Sequence, residues 1–138
     1  MRKLIFTIAL CFPLIASAQL GRTHCLGGLT PSCPQPFEEF STTIDQEQAL
    51  KIASQAIALV WDRSIPDGYK DVMTWLSSCE NISTKQAESD GGWKVTYAFD
   101  EGKLSMVTIN VFLQHTGYVV MVESYACGIY GLGCHKLR

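Results

Sequence analysis

Apolar residues recur with a helical period over one stretch of this chain and with a period of two over another, and the change falls near residue 80. In the first stretch Ala49, Ile52, Ala53, Ala56, Ile57 and Val60 follow the i, i+3, i+4, i+7 spacing of one buried stripe. Lys51, Ser54 and Gln55 take the opposite side. Thr42, Thr43 and Asp45 stand where such a helix would start, and Thr43 with Gln46 fits a capping box, so the pattern predicts a long helix over residues 44–62. Its many alanines predict close approach to whatever it packs on. Pro66-Asp67-Gly68 reads as a turn. Beyond it Val72, Trp75, Leu76 and Cys79 keep helical spacing and predict a short second helix over 69–78, with a strand as the alternative.

From Glu80 onward the alternation is that of strands. Residues 82–87 form the first, and Ser89-Asp90-Gly91-Gly92 turns the chain. Trp93, Val95, Tyr97 and Phe99 then alternate with Lys94, Thr96 and Ala98, the pattern of a half-buried strand. Asp100-Glu101-Gly102 leads into a strand over 103–114, and His115-Thr116-Gly117 into another over 118–125. Connections this short join antiparallel neighbours. The expected fold class is α+β: one long and one short helix packed on a four-stranded antiparallel meander and stabilised by disulfides. Val119, Val120, Met121 and Val122 are apolar on both faces of one strand, beside Val107, Ile109, Val111 and Leu113. This predicts that the second sheet face is covered too, by residues 19–41, by a partner protein or by a second copy in a homodimer.

The chain ahead of the helix divides in two. Arg2 and Lys3 precede an apolar run of about 12 residues broken by Thr7 and Pro13, and Ala16-Ser17-Ala18 supplies the small-x-small pattern of a signal-peptidase site. Residues 1–18 therefore read as a signal peptide; a membrane-crossing helix needs about 20 apolar residues. Leu10 is bulky where a lipobox before Cys11 needs a small residue. Later apolar runs are too short to span a bilayer as helices, so export to the periplasm or the extracellular space is expected, without membrane insertion after cleavage. Residues 19–41 carry Gly21, Gly27, Gly28, Pro31, Pro34 and Pro36 and read as an irregular Cys/Gly/Pro-rich arm, followed by a single α+β domain over 42–138.

Charge narrows the partners. The chain holds 11 Lys+Arg against 13 Asp+Glu; without Arg2 and Lys3 this becomes 9 against 13, a net charge of −4. A nucleic-acid partner would call for a basic stripe, and an anionic lipid surface for a basic patch, so neither is expected. Five cysteines follow the signal peptide: Cys25, Cys33, Cys79, Cys127 and Cys134. Outside the cytosol these favour bridges. Cys25 with Cys33 and Cys127 with Cys134 are close pairs, each closing a short loop worth roughly 2–3 kcal/mol, although bridges between the pairs are equally legal. The odd count leaves one cysteine over, most simply Cys79.

A helix followed by four antiparallel strands, with the Trp93-x-Val95-x-Tyr97 strand and the strand end His115-Thr116-Gly117-Tyr118-Val119-Val120, resembles small exported cystatin-like, PepSY-like and NTF2-like domains over residues 44–125. That resemblance implies binding, inhibition or immunity more than catalysis. The cystatin Q-x-V-x-G segment is absent, and no functional residue is carried over.

The remaining candidate chemistry is sparse. Between Cys127 and Cys134 three glycines surround Ile129, Tyr130 and Leu132, which a bridge would present as a constrained apolar and aromatic anchor. The alternative is that these side chains fold back to cap the core. His24-Cys25 and Cys134-His135 invite zinc, but Cys-x7-Cys and Cys-x6-Cys are wider than the x2–4 of common structural sites, so no metal or other cofactor is expected. His24, His115 and His135 are the only histidines, no nucleophile elbow, zincin or P-loop motif is present, and Asp62, Asp67, Asp100 and Glu101 flank turns where solubility explains them. Asn81-Ile82-Ser83 is a glycosylation sequon, relevant in a eukaryotic secretory route. The sequence thus predicts no enzyme but a small exported protein-binding module, an inhibitor or immunity-type protein acting on another protein such as an enzyme or toxin. An accessory subunit of an envelope assembly and a small secreted hydrolase are the alternatives. Intact-mass analysis of the exported protein should give a chain starting at Gln19; a species retaining residues 1–18 would overturn the export argument.

Overall fold

The computed structural model describes residues 20–28, 32–102 and 105–127. Among these, helix α1 spans Gln46–Val60 and helix α2 spans Val72–Ser77. The strands are β1 Leu20–Leu26, β2 Asn81–Gln86, β3 Trp93–Gly102, β4 Ser105–Leu113 and β5 Val119–Cys127. The fold is α+β, as the periodicity predicts, but the sheet has five antiparallel strands in the order β1-β5-β4-β3-β2. Residues 20–26, expected to be part of an irregular arm, are the extra strand and pair with β5 from Leu20↔Ala126 to Leu26↔Met121. Gly21 lets this happen: a Cβ there would lie 2.6 Å from the Tyr125 ring, its cross-strand neighbour.

Helix α1 is two residues shorter at each end than its apolar stripe suggests, because a different residue caps it. Asp45 Oδ1 accepts from the Gln48 N–H at 2.8 Å, and Gln48 Oε1 accepts from the Asp45 N–H at 2.9 Å. The capping box is therefore Asp45/Gln48, not Thr43/Gln46. Ile44 cannot join the helix: its N–H donates to the His115 carbonyl and its side chain is buried. At that point Gly117, with φ +85°, brings the β4–β5 turn against Ile52 of α1.

The α1 stripe buries Ala49, Ile52, Ala53, Ala56 and Ile57 against β3, β4 and β5. Those strands answer with Val95, Tyr97, Ile109, Val111, Leu113, Val119 and Val122. Alanine at three of the five helix positions keeps the helix close to the sheet. Among the described residues, the contacts of the arm beyond β1 lie with the β5 edge and the helix side, not the opposite sheet face. Beyond β1, Gln35 donates to the Val119 carbonyl at 3.0 Å and accepts from its N–H at 2.7 Å at the β5 edge, and the Phe37 ring lies under Lys51 of α1 on the helix side. The far face carries a polar ladder across β3, β4 and β5: Thr96 Oγ1 donates to Asn110 Oδ1, Asn110 Nδ2 donates to Glu123 Oε1, and the Tyr125 hydroxyl donates to Glu123 Oε2.

Replacing Ile57, fully buried at the centre of the helix stripe, with Asp would place an unpaired charge in the core. The loss should be roughly 3–5 kcal/mol of stability in urea unfolding; an unchanged midpoint would show that this face is not the buried one.

Candidate functional site

The two edges of the sheet are built differently. At one edge, β1 is pinned three times. Cys25 and Cys33 form a disulfide with Cα atoms 4.9 Å apart, tying the strand to the chain that follows it. Cys33 is buried under β5 with its Sγ 3.6 Å from the Val120 carbonyl. A bulge between Thr23 and Cys25 interrupts the register, and His24, the residue it inserts, has a fully buried side chain. Arg22 forms a hydrogen-bonded ion pair with Asp62, just beyond the end of α1.

Around His24 the elements converge. Its Nε2 lies 2.8 Å from Ser124 Oγ on β5, and its ring stacks on Trp61 at 4.9 Å. Trp61 packs on Trp75 of α2 at 5.1 Å, and Trp75 stacks on Phe99 of β3 at 4.4 Å. Four rings therefore cross one end of the core from β1 to β3. His24 Nδ1 is 3.6 Å from Asp62 Oδ1, too long for a hydrogen bond. Burial first, then the charges of Arg22 and Arg63, hold this imidazole below its usual value of 6.5, against the opposing pull of Asp62 and of the Val60 backbone. The order Ser124–His24–Asp62 is that of an acyl-transfer relay. However, Ser124 has no exposed surface, and Asp62 is engaged by Arg22. What the arrangement does in this conformation is clamp β1 to β5 and to the end of α1.

Among the described residues the other edge shows no such devices. β2 pairs with β3 in unbroken register from Asn81↔Ala98 to Gln86↔Trp93. Five of its six residues are exposed and Thr84 is half-buried. It contains no proline and no bulge, and Lys85 is its single charge. Ile82 shares the helix-side face with Tyr97 yet stays 42% exposed. Elsewhere exposed apolar side chains stand at the end of α1 (Leu59), ahead of α2 (Tyr69) and within α2 (Met73). The Ser78 hydroxyl donates to the Trp75 carbonyl at 2.6 Å and pairs with the Tyr69 hydroxyl at 3.2 Å, which holds that ring beside α2. Among the described residues no strand pairs with the outer side of β2, and an edge strand of this kind can accept a further strand through its backbone groups.

The sequence candidates fall as follows. Cys25–Cys33 is a bridge. Ile129, Tyr130, Leu132 and Cys134 lie outside the described residues, as does the side chain of Cys127, so the proposed loop and its bridge do too. Cys79 is free and buried; burial pushes its thiol up, and its Sγ–H faces the carbonyls of Asn81 and Ala98. Among the described residues no three His, Cys, Asp or Glu side chains converge as a metal site. Sequence reasoning missed Ser124 as the partner of His24, and it read Asp62 as a solubilising turn residue although Arg22 engages it. No protein-family model, curated protein or solved structure matches this chain.

The His24 clamp generates a pH prediction. The unfolded chain takes up a proton near pH 6.5, whereas the folded state resists protonation until a lower pH. Stability should be level above pH 6.5 and fall below it, down to the lowered folded value. His24→Gln should remove that slope, seen in urea midpoints measured across the range. The lowered value of Asp71, which caps α2 through the Thr74 N–H and hydroxyl, acts in a separate window below 3.8. A wild-type midpoint unchanged between pH 7 and pH 5 would contradict the clamp.

Proposed function

We propose that this protein is a small exported binding module, an inhibitor or immunity-type protein, that captures a partner protein by accepting one of its extended segments along β2. The observation that supports this reading best is the contrast between the edges, one closed by a bulge, a disulfide and a buried histidine, the other unbroken in register and exposed, Ile82 included. Natural sheets rarely leave an edge undefended unless it is used. Main-chain hydrogen bonds would supply affinity, and the exposed side chains of β2, Ile82 included, would supply selectivity. The likeness to small exported cystatin-like, PepSY-like and NTF2-like domains belongs to the same proposal and rests on the order of elements. The 127–134 loop is a second contact in this reading, and Tyr130→Ala should weaken binding by about 2 kcal/mol with folding intact.

The test starts with affinity capture from the exported fraction, mass-spectrometric identification, and titration of the purified partner. Ile82→Lys should lower affinity at least tenfold while leaving the melting temperature within a degree or two of wild type, since Ile82 is largely exposed. Unchanged affinity in Ile82→Lys would remove β2 as the binding edge.

A further inference from the structure

A second surface lies on the sheet face turned away from the helices, and its chemistry differs from that of the β2 edge. Lys85 of β2 and Lys94 of β3 stand directly opposite one another in the register. Like charges in that position repel. Among the described residues neither lysine has an ion pair, in a chain whose formal net charge is −2. The row continues along the same face: Lys94 pairs with Phe112 of β4, and Phe112 with Met121 of β5. The Lys94 ammonium lies 5.4 Å from the Phe112 ring centroid, a cation–π contact that fixes where this charge sits. Beside the row, between the β2–β3 and β4–β5 turns, opens a cleft of about 480 Å³ lined by Lys85, Lys94, Trp93, Phe112, Gln114 and Val120. This volume falls in the range that accommodates small organic ligands.

We propose that this cleft binds an organic anion with a flat apolar body. Its acidic group would bridge the ammonium groups of Lys85 and Lys94, and its body would lie against Phe112 and Val120. The anion relieves the cross-strand repulsion, so the two lysines gain from the ligand an ion pair that, among the described residues, neither makes. Asp90 is the charge that works against it: it lines the rim, where its Oδ1 accepts from the Gly92 N–H at 2.9 Å. The site shares Lys85 with β2 but lies on the far face of the sheet rather than along the strand edge, and it does not depend on the partner-capture reading.

The test is a heteronuclear NMR titration of the protein with three probes: benzoate, its neutral analogue benzamide, and inorganic phosphate. Benzoate should produce saturable shifts centred on the amides of Lys85, Lys94 and Phe112, with a Kd at least tenfold below that of benzamide and of phosphate. Lys94→Gln should weaken benzoate at least tenfold, whereas Lys51→Gln, at a lysine over the Phe37 ring on the helix side, should not. Asp90→Asn should tighten it. Lys94→Gln removes a cross-strand repulsion together with a cation–π contact of similar size, so its melting temperature should stay within a few degrees of wild type, which separates lost binding from lost fold. Equal binding of benzoate and benzamide, phosphate binding as tightly as benzoate, shifts scattered over the surface, or no saturable shift would each overturn the proposal.

Discussion

The pairing of β1 with β5 is the constraint on which the rest of the domain depends. β1 precedes the long helix in the chain, yet it joins the sheet beside the last strand, so the helix must carry the chain from one edge to the other before β2 can begin. A strand in that position has neighbours on one side only and has no hairpin to hold its register. It is held by a covalent bridge to Cys33, by the Arg22–Asp62 pair at the end of α1, and by a buried imidazole locked between Ser124 and Trp61. Each joins β1 to a different part of the fold. Together they make a short edge strand, whose backbone bonds alone would fray, a fixed boundary.

This boundary also divides the chemistry. On the helix side the core is almost wholly aliphatic and aromatic, closed at one end by the four-ring row and along its length by the alanine stripe of α1. On the far side the central strands use Thr96, Asn110, Glu123 and Tyr125, whose side chains satisfy one another across the ladder. The polar ladder and the Lys85–Lys94 pair give that face a specific pattern of charge that a merely solvated sheet does not require. Charges and hydroxyls therefore gather where the helices leave the sheet open.

Much of the fold was legible in the chain because periodicity records which face is buried. The α1 stripe and the alternation of Trp93, Val95, Tyr97 and Phe99 each mark one partner surface, and short turns fix antiparallel neighbours. β1 was not legible. Its residues Gly21, Arg22, Thr23 and His24 show no alternation, since the strand is bulged and lies at an edge, and its glycine is there to admit Tyr125. The helix start was misplaced by two residues because Ile44 is recruited by the β4–β5 turn, a contact no local pattern announces. The candidate sites were less legible still. Whether β2 is central or exposed depends on strand order, and Lys85 meets Lys94 only once the register is known. Ser124 and Asp62 become neighbours of His24 through elements 100 and 38 residues away.

The most direct test of the account is residue-level hydrogen exchange, since its central claim is that one edge is clamped and the other is left open. The β1 amides bonded to β5 should exchange only through openings close to global unfolding, whereas those of β2 bonded to β3 should exchange through local opening of much lower free energy. Reducing the Cys25–Cys33 bridge should bring β1 down toward the behaviour of β2. Protection of β2 equal to that of β1, or a β1 that exchanges freely with its bridge intact, would contradict the account.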